Sequence, residues 1–409
     1  MDGDYDIAII GGGLAGASLA CSLAGQPLRI AVIEQVAADA DEQPSYDDRG
    51  LALALSSQRI LNAIGVWPDL AVRSVPIRHI HISEKGRFGM VHLHAADLDL
   101  AALGHVVMAR DLGAALLRKT SSLTNTDYIC PASVTDIRNT GHCIEVDYRH
   151  NEQMSTLRCR LLVGADGTSS AIRTRLGIET SVKDYGQTAI VSNVTPELAH
   201  NNTAYERFTP QGPIAMLPVA EGRCVAVHIV ASSLKDDYMA MDNAAYLDTV
   251  QHDFGTRLGR MQKTGKRKSY PIRLVQANRQ YTERAVLLGN SVHTIHPNGA
   301  QGFNLGLRDA ASLAEHIIEA VQRGTDPGSM HVLETYTHAR MQDQSRVVRF
   351  SDTIAGMFYN DNPVKALIRN LGMLALDLSL PMKRRLIRQA TGLAGRQPAL
   401  VRQRQDGLP

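Results

Sequence analysis

The feature that most constrains this chain lies in its first 35 residues. A short apolar run, Ile7 to Ile10, leads directly into Gly11-Gly12-Gly13, and a helical stretch follows from Leu14 to Ala24. Leu28 to Ile33 then reads as a second strand that ends in Glu34. Strand, glycine turn, helix and strand in that order call for a parallel sheet covered by helices. Within the turn, Gly11-x-Gly13-x-x-Gly16 gives each glycine a separate task. Gly11 permits the tight turn, Gly13 lets the backbone approach a pyrophosphate, and Gly16 lets the helix pack closely on the strand. The helix start at Leu14 and Ala15 would offer free N–H groups and the positive end of its dipole to the phosphates. Glu34 stands 18 residues past Gly16, placed to accept hydrogen bonds from an adenosine ribose. An acid there disfavours a 2′-phosphate, so the site suits FAD or NAD rather than NADP. The bland alternative is a glycine turn that serves only tight packing.

The rest of the chain fits one sheet-and-helix domain assembled from separated stretches. Helices are expected at about Ser56–Ile64, Asp111–Ser121 and Gly302–Arg323, and buried strands at Leu161–Val163 and Ala285–Leu288. Alternation in His79-Ile80-His81-Ile82-Ser83 suggests strands within 77–107. Residues 180–275 are strand-rich (Ala189–Val194, Ala215–Leu217, Val225–Val230), with a helical piece near 242–262. The fold class is therefore α/β: a Rossmann-like nucleotide-binding domain with a β-rich substrate domain inserted and a C-terminal helical region. The expected divisions are 1–75, 106–178 and 276–325 for the first, 76–105 and 179–275 for the second, and 326–409 for the third.

Bulk properties exclude several classes. At 409 residues with 44% hydrophobic and 21% charged side chains, the chain is globular, and a net charge of +2 does not suit a nucleic-acid binder. Five scattered cysteines without a C-x-x-C pair fit a reducing cytosol. An acidic N-terminus unlike a signal peptide and the lack of a long apolar run point to a cytoplasmic protein. Residues 365–404 carry nine basic side chains against the single acid Asp377, a local charge of +8 that leaves the rest near −6. That tail reads either as a packed helix pair with a solvated basic face, or as a contact for the inner face of a membrane or for a biosynthetic complex.

Two further motifs decide between the nucleotides. Gly164-Ala165-Asp166-Gly167, followed by Ser170 and Arg173, and the long segment Leu288-Gly289-Asn290-Ser291 through His296-Pro297-Asn298-Gly299 to Gln301-Gly302-Phe303-Asn304 and Asp309, are both glycine-punctuated. Together with Asp47-Asp48-Arg49 and Tyr359-Asn360-Asp361-Asn362-Pro363, they resemble the aromatic-ring flavin hydroxylases of the para-hydroxybenzoate hydroxylase type. The wording is most similar to the ubiquinone-biosynthesis branch of that family.

The resemblance implies an FAD-dependent monooxygenase that uses NAD(P)H as a transient co-substrate and O₂. It would hydroxylate the ring of a polyprenyl phenol through a C4a-hydroperoxyflavin. It places Arg49 near the FAD pyrophosphate and the docking nicotinamide, and Arg110 and Asp166 against the FAD. Gly289 opens the third motif, and Asn290, which ends a buried strand, could hydrogen-bond the ribityl chain; the broader family usually has Asp there. Pro297 would shape the wall beside the flavin. Gly302, Phe303 and Asn304 begin a helix whose N–H groups would face the pyrimidine edge, where reduced flavin carries negative charge.

Simpler readings stand beside these: an N-cap for Asp166, a loop charge for Arg49, and a surface salt bridge for Arg110. His293 and His296 read as structural histidines of the loop, since no third metal ligand has suitable spacing. No catalytic residue is named. His228, Tyr205 and Arg207 are the only pocket candidates in the insertion, in a site that should be mostly hydrophobic. A flavin reductase or oxidase of related fold, or a non-catalytic flavin-binding member of a complex, would carry the same FAD motifs.

Overall fold

The computed structural model describes residues 4–37, 49–358 and 363–402. Asp47, Asp48, Arg404 and Tyr359 through Asn362 lie outside the described residues. A first sheet has a parallel core in the order Ala285–Leu287, Gln153–Gly164, Tyr5–Ile10, Ile30–Ile33 and Thr126–Ile129. Ile7, Ala8 and Ile9 are fully buried, as the continuous apolar run requires of a strand covered on both faces. On one face pack the helices Leu14–Ser22 and Gln301–Gln322, contributing Leu19, Leu313 and Ile317 to the core. On the other lies an antiparallel hairpin, Ala132–Asn139 with Ile144–His150, whose Ile144 and Val146 meet Ala8 and Ile33. The sequence reading passed over this hairpin.

The register sets the site. Ile10 aligns with both Gly164 and Ile33, and Gly164 aligns with Leu287. All three glycine motifs and Glu34 therefore leave the sheet at the carboxyl ends of neighbouring strands, where open α/β sheets bind ligands.

Among the described residues a nine-stranded sheet forms a second layer. Its main path runs His293–Thr294, Lys268–Ala277, Thr180–Pro196, Cys224–Ala231, Ile214–Pro218, Thr203–Phe208, His79–Glu84 and Met90–His94. The helical piece expected near 242–262 is shorter. The helix Asn243–Phe254 stops at Gly255, whose φ of +87° ends it, and Met261–Thr264 is an edge strand. A small sheet pairs Gly104–Met108 with Gly50–Ala54 on one side and Val75–Ile77 on the other.

The C-terminal part is helical: Met330–Phe358, Pro363–Leu378, Leu380–Ala390 and Ala399–Arg402. Met373 and Ile387 join Val91 and Leu93 in one cluster, so these helices wall off the far end of the second sheet. The basic residues of this region are not one patch. Arg369 is buried against Glu84, Arg402 reaches Glu315 at 2.9 Å, and Arg384, Arg385 and Arg388 are exposed. Among the described residues, no helix is long and apolar enough to cross a membrane.

Candidate active site

The first motif forms the turn that the sequence requires. Gly11 has a φ of +105°, and a Cβ there would lie 2.5 Å from the Ala165 carbonyl oxygen, so the first and second motifs touch at this point. A Cβ on Gly16 would fall 1.9 Å from the Gly11 oxygen, which is why the helix can seat so close to its strand. Gly13 is the N-cap, with an ordinary φ of −67°, and no side chain caps this helix or places an acid in its first turn. The N–H groups at Leu14 and Ala15 thus begin a helix with no competing side-chain anion.

Glu34 is 8% exposed. Its Oε2 accepts the Gly12 N–H at 2.7 Å and its Oε1 the Val36 N–H at 2.8 Å, fixing the carboxylate beside the glycine turn. It retains acceptor capacity for a ribose hydroxyl, since each carboxylate oxygen takes two hydrogen bonds. Glu34→Ala should weaken FAD binding by about 1–3 kcal/mol through loss of this buried acceptor. Fluorescence titration with FAD measures it, and unchanged affinity would remove the ribose role.

The second and third motifs are bolted together. Asp166 accepts the Ile172 N–H at 3.0 Å, the Ser291 hydroxyl at 3.2 Å and the Ser170 hydroxyl. Ser170 is the N-cap of the short helix Ala171–Arg175, and Arg173 donates to the Ser291 carbonyl at 2.9 Å. The Asp166 carboxylate therefore joins the two motifs. Gly289 lies where an added Cβ would come 3.1 Å from the Ala15 side chain, bringing the third motif to the first. Asn290 and Pro297 are exposed beside it. Arg49 and Arg110 also come together: the Ala109 N–H donates to the Arg49 carbonyl at 2.9 Å, and Arg110 is exposed one residue on. The Arg49 guanidinium lies 4.9 Å from the Tyr270 ring centroid, a cation–π contact with the second sheet.

At the helix Gln301–Gln322, Gly302 is half-buried, Phe303 packs into the apolar cluster beneath, and no side chain caps the start. Asn304 spends its carboxamide on the protein: Oδ1 accepts from Ala54 N and the Ser57 hydroxyl, and Nδ2 donates to the Ala52 and Ala300 carbonyls. Its side chain positions the helix, leaving the backbone N–H groups for a ligand.

Both histidines hold the loop. His293 Nε2 meets Asp309 at 2.8 Å. His296 Nε2 meets the Gln187 Oε1 at 3.2 Å while its Nδ1 accepts the Asn298 N–H, and burial lowers its pKa to about 4, so the ring is neutral at pH 7.

The strand Gly50–Ala54 and the end of the third motif open onto a cavity of about 860 Å³. Ala52, Asn298, Gln301 and Asn304 line it, together with Ile80, Val91, Leu93 and Phe208 of the second sheet. Asn298 is 3% exposed, yet neither atom of its carboxamide has a partner, and the Gln301 Oε1 is likewise unsatisfied. Buried polar atoms without partners are costly. The Asn298 carboxamide and the Gln301 Oε1, beside an uncapped helix start, fit the carbonyl and N–H edge of an isoalloxazine ring. Asn298 and Gln301 lie within the third motif, and nothing in the local sequence marks either for this role.

The pocket candidates of the insertion need correction. His228 is fully buried on Asp253 at 3.1 Å, and Tyr205 packs on Phe254. Arg207 lies beside Gly255, on that same side. Tyr205 and Arg207 belong to a strand that does line the cavity, but by its other face, through Glu206 and Phe208.

Residues 4–351 match the family model described as FAD binding domain. The chain belongs to the FAD-binding family that contains the ubiquinone hydroxylases. It is 35% identical over 400 residues to the ubiquinone hydroxylase UbiL of Rhodospirillum rubrum, covering 97% of this chain and 92% of that one. It is 29% identical to the 3-demethoxyubiquinol 3-hydroxylase of Escherichia coli, covering 95% and 98%. The fold is that of p-nitrophenol 4-monooxygenase PnpA from Pseudomonas putida, with a TM-score of 0.80 at 17% identity over 97% of this chain and 100% of that one. FAD is thus the family's cofactor, and the acceptor-lined cradle at the strand ends is where this chain's residues would hold it.

Proposed function

We propose that this protein is an FAD-dependent monooxygenase that hydroxylates the ring of a polyprenyl phenol in ubiquinone biosynthesis, with NAD(P)H and O₂ as co-substrates. The observation that carries this reading is a cavity that joins Gly299, Gln301 and Asn304 of the third motif to an apolar wall formed by strands of the second sheet. Segments 1–75, 106–178 and 276–325 would form the FAD-binding domain, with 76–105 and 179–275 forming the substrate domain.

Bound FAD would take a hydride from the nicotinamide and activate O₂ for transfer to the ring. The protein's residues do the remaining work. Glu34, Gly13 and the start of the Leu14–Ser22 helix would bind the ribose and phosphates. Asn298, Gln301 and the start of the Gln301–Gln322 helix would orient the ring system and favour negative charge at its pyrimidine edge. Ile80, Val91, Leu93 and Phe208, which line the chamber, would exclude water and accept a greasy substrate. Mass spectrometry of the FAD-loaded protein with 2-farnesylphenol, NAD(P)H and ¹⁸O₂ tests the reading. Product carrying one labelled oxygen is expected. Consumption of NAD(P)H without product would make the chain a reductase or oxidase instead.

The substrate's partition into lipid gives the C-terminal helices a role. Val364, Leu367, Ile368, Leu371, Leu374 and Leu378 form a stripe at helical spacing and are 39–78% exposed. Ile368, Met373 and Leu376 of the same helix line the cavity, and exposed Arg384, Arg385 and Arg388 follow. This supports docking on an anionic bilayer with the cavity wall toward the lipid. Vesicles containing phosphatidylglycerol should sediment the protein at low salt and release it at high salt. Absence of sedimentation at any salt would remove the docking surface, and capture by a partner protein alone would reassign it.

A further inference from the structure

The strand Thr203–Phe208 carries a carboxyl group for which the cofactor site has no use. Side chains on a strand alternate between faces, and here Glu206 and Phe208 face the cavity. In the sheet Glu206 stands between Ile82 and Ala215. It is half-buried, and among the described residues its carboxylate has neither a hydrogen-bond donor nor an ion-pair partner. The other charged groups lining the cavity are Lys365 and Arg369 of the Pro363–Leu378 helix, and Arg369 is held by Glu84 with Nε at 3.0 Å. The two neighbouring strands bring His79, His81 and Glu84 on one side and no titratable side chain on the other. Burial in this apolar wall pushes the Glu206 carboxyl up to about 7. An unpartnered carboxylate among isoleucine, valine and leucine side chains is expensive, and such groups concentrate at functional sites.

We propose that Glu206 accepts the phenolic proton of the ring substrate, a role that rests on the hydroxylase reading. The phenolic O–H bond breaks, its electron pair stays on the oxygen and spreads into the ring, and the proton passes to a Glu206 carboxylate oxygen. The ring becomes electron-rich at the positions ortho and para to the oxygen, as electrophilic hydroxylation requires. A base titrating near neutrality is matched to this transfer at physiological pH. Among the described residues no other carboxylate lines the chamber.

Titration of the FAD-loaded protein with 2-farnesylphenol and its O-methyl ether, read by flavin absorbance, tests the contact without turnover. Between about pH 6 and about pH 8 the phenol should gain about 10-fold in affinity as the carboxylate ionises and accepts the hydroxyl, while the ether stays flat. Glu206→Gln should flatten the phenol as well. Glu206→Leu, which suits the apolar wall, should do the same and guards against a folding artefact in either variant.

In turnover, Glu206→Gln should slow hydroxylation of 2-farnesylphenol about 100-fold. It should leave flavin reduction by NAD(P)H unchanged, and a ring-fluorinated, more acidic 2-farnesylphenol should recover most of the loss. A pH-independent affinity in the parent protein, a pH step that survives in both variants, or an equal loss with both phenols would overturn the assignment. A Glu206-dependent binding step without hydroxylated product from the parent protein would leave the proton contact standing and defeat the hydroxylase reading.

Discussion

Gly13→Val should yield a folded, colourless protein whose FAD affinity is reduced by at least about 100-fold. Gly13 is half-buried, with φ of −67° and ψ of −171°, an extended conformation that valine adopts without strain. The fold should therefore tolerate the change. The same side chain would project where the pyrophosphate must approach the helix N-terminus, displacing the backbone N–H contacts that hold it. Gly11 would be a poorer test, because its φ of +105° and its contact with Ala165 make any substitution a folding defect as well. Flavin absorbance after purification, with circular dichroism as the control, decides it. A yellow Gly13→Val protein would mean that the phosphates lie elsewhere.

Asp309→Ala should destabilise the protein by about 3–5 kcal/mol, the loss typical when one partner of a buried ion pair is removed. Asp309 is fully buried on the Gln301–Gln322 helix and bonds His293 at 2.8 Å and Arg340 at 2.6 Å. Arg340 and Arg308 then share Asp343, at 2.6 and 2.9 Å. Burial alone would raise the Asp309 carboxyl, yet Arg340 and His293 hold it down at about 2. A depressed carboxylate contributes stability that is present above its unfolded value near 3.9 and is lost as pH falls toward 2, on the order of 2–3 kcal/mol. Urea midpoints at neutral pH measure the main effect. Asp309→Leu combined with Arg340→Met should lose less than the sum of the two single changes, because no buried charge is left alone. A loss under about 1 kcal/mol for Asp309→Ala would show that the network is not holding the third motif in place.

Much of the glycine turn was legible because its requirements are local. A positive φ at Gly11, close packing at Gly16 and an acid after the second strand are conditions on a few consecutive residues, and the chain displays them in order. His293 and His296 were likewise read as structural, and both are buried and bonded to protein. The roles of Asp166 and Asn304 were harder to see. Their side chains bond Ser291 and the Ala52–Ser57 segment, partners more than 120 residues away. The basic tail divides for the same reason: Arg369 finds Glu84 and Arg402 finds Glu315.

The amino-acid order by itself determined that a nucleotide cradle would form, and its likeness to known hydroxylases determined which nucleotide to expect. Backbone geometry and helix dipoles act over a few residues, so contiguous spacing encodes them. Only the tertiary structure decided that Glu206, rather than Tyr205 or Arg207, faces the chamber, and that Asn298 and the Gln301 Oε1 reach it without partners. Which face of a strand is enclosed depends on how distant strands and helices pair and pack, and a shift of one residue would reverse it.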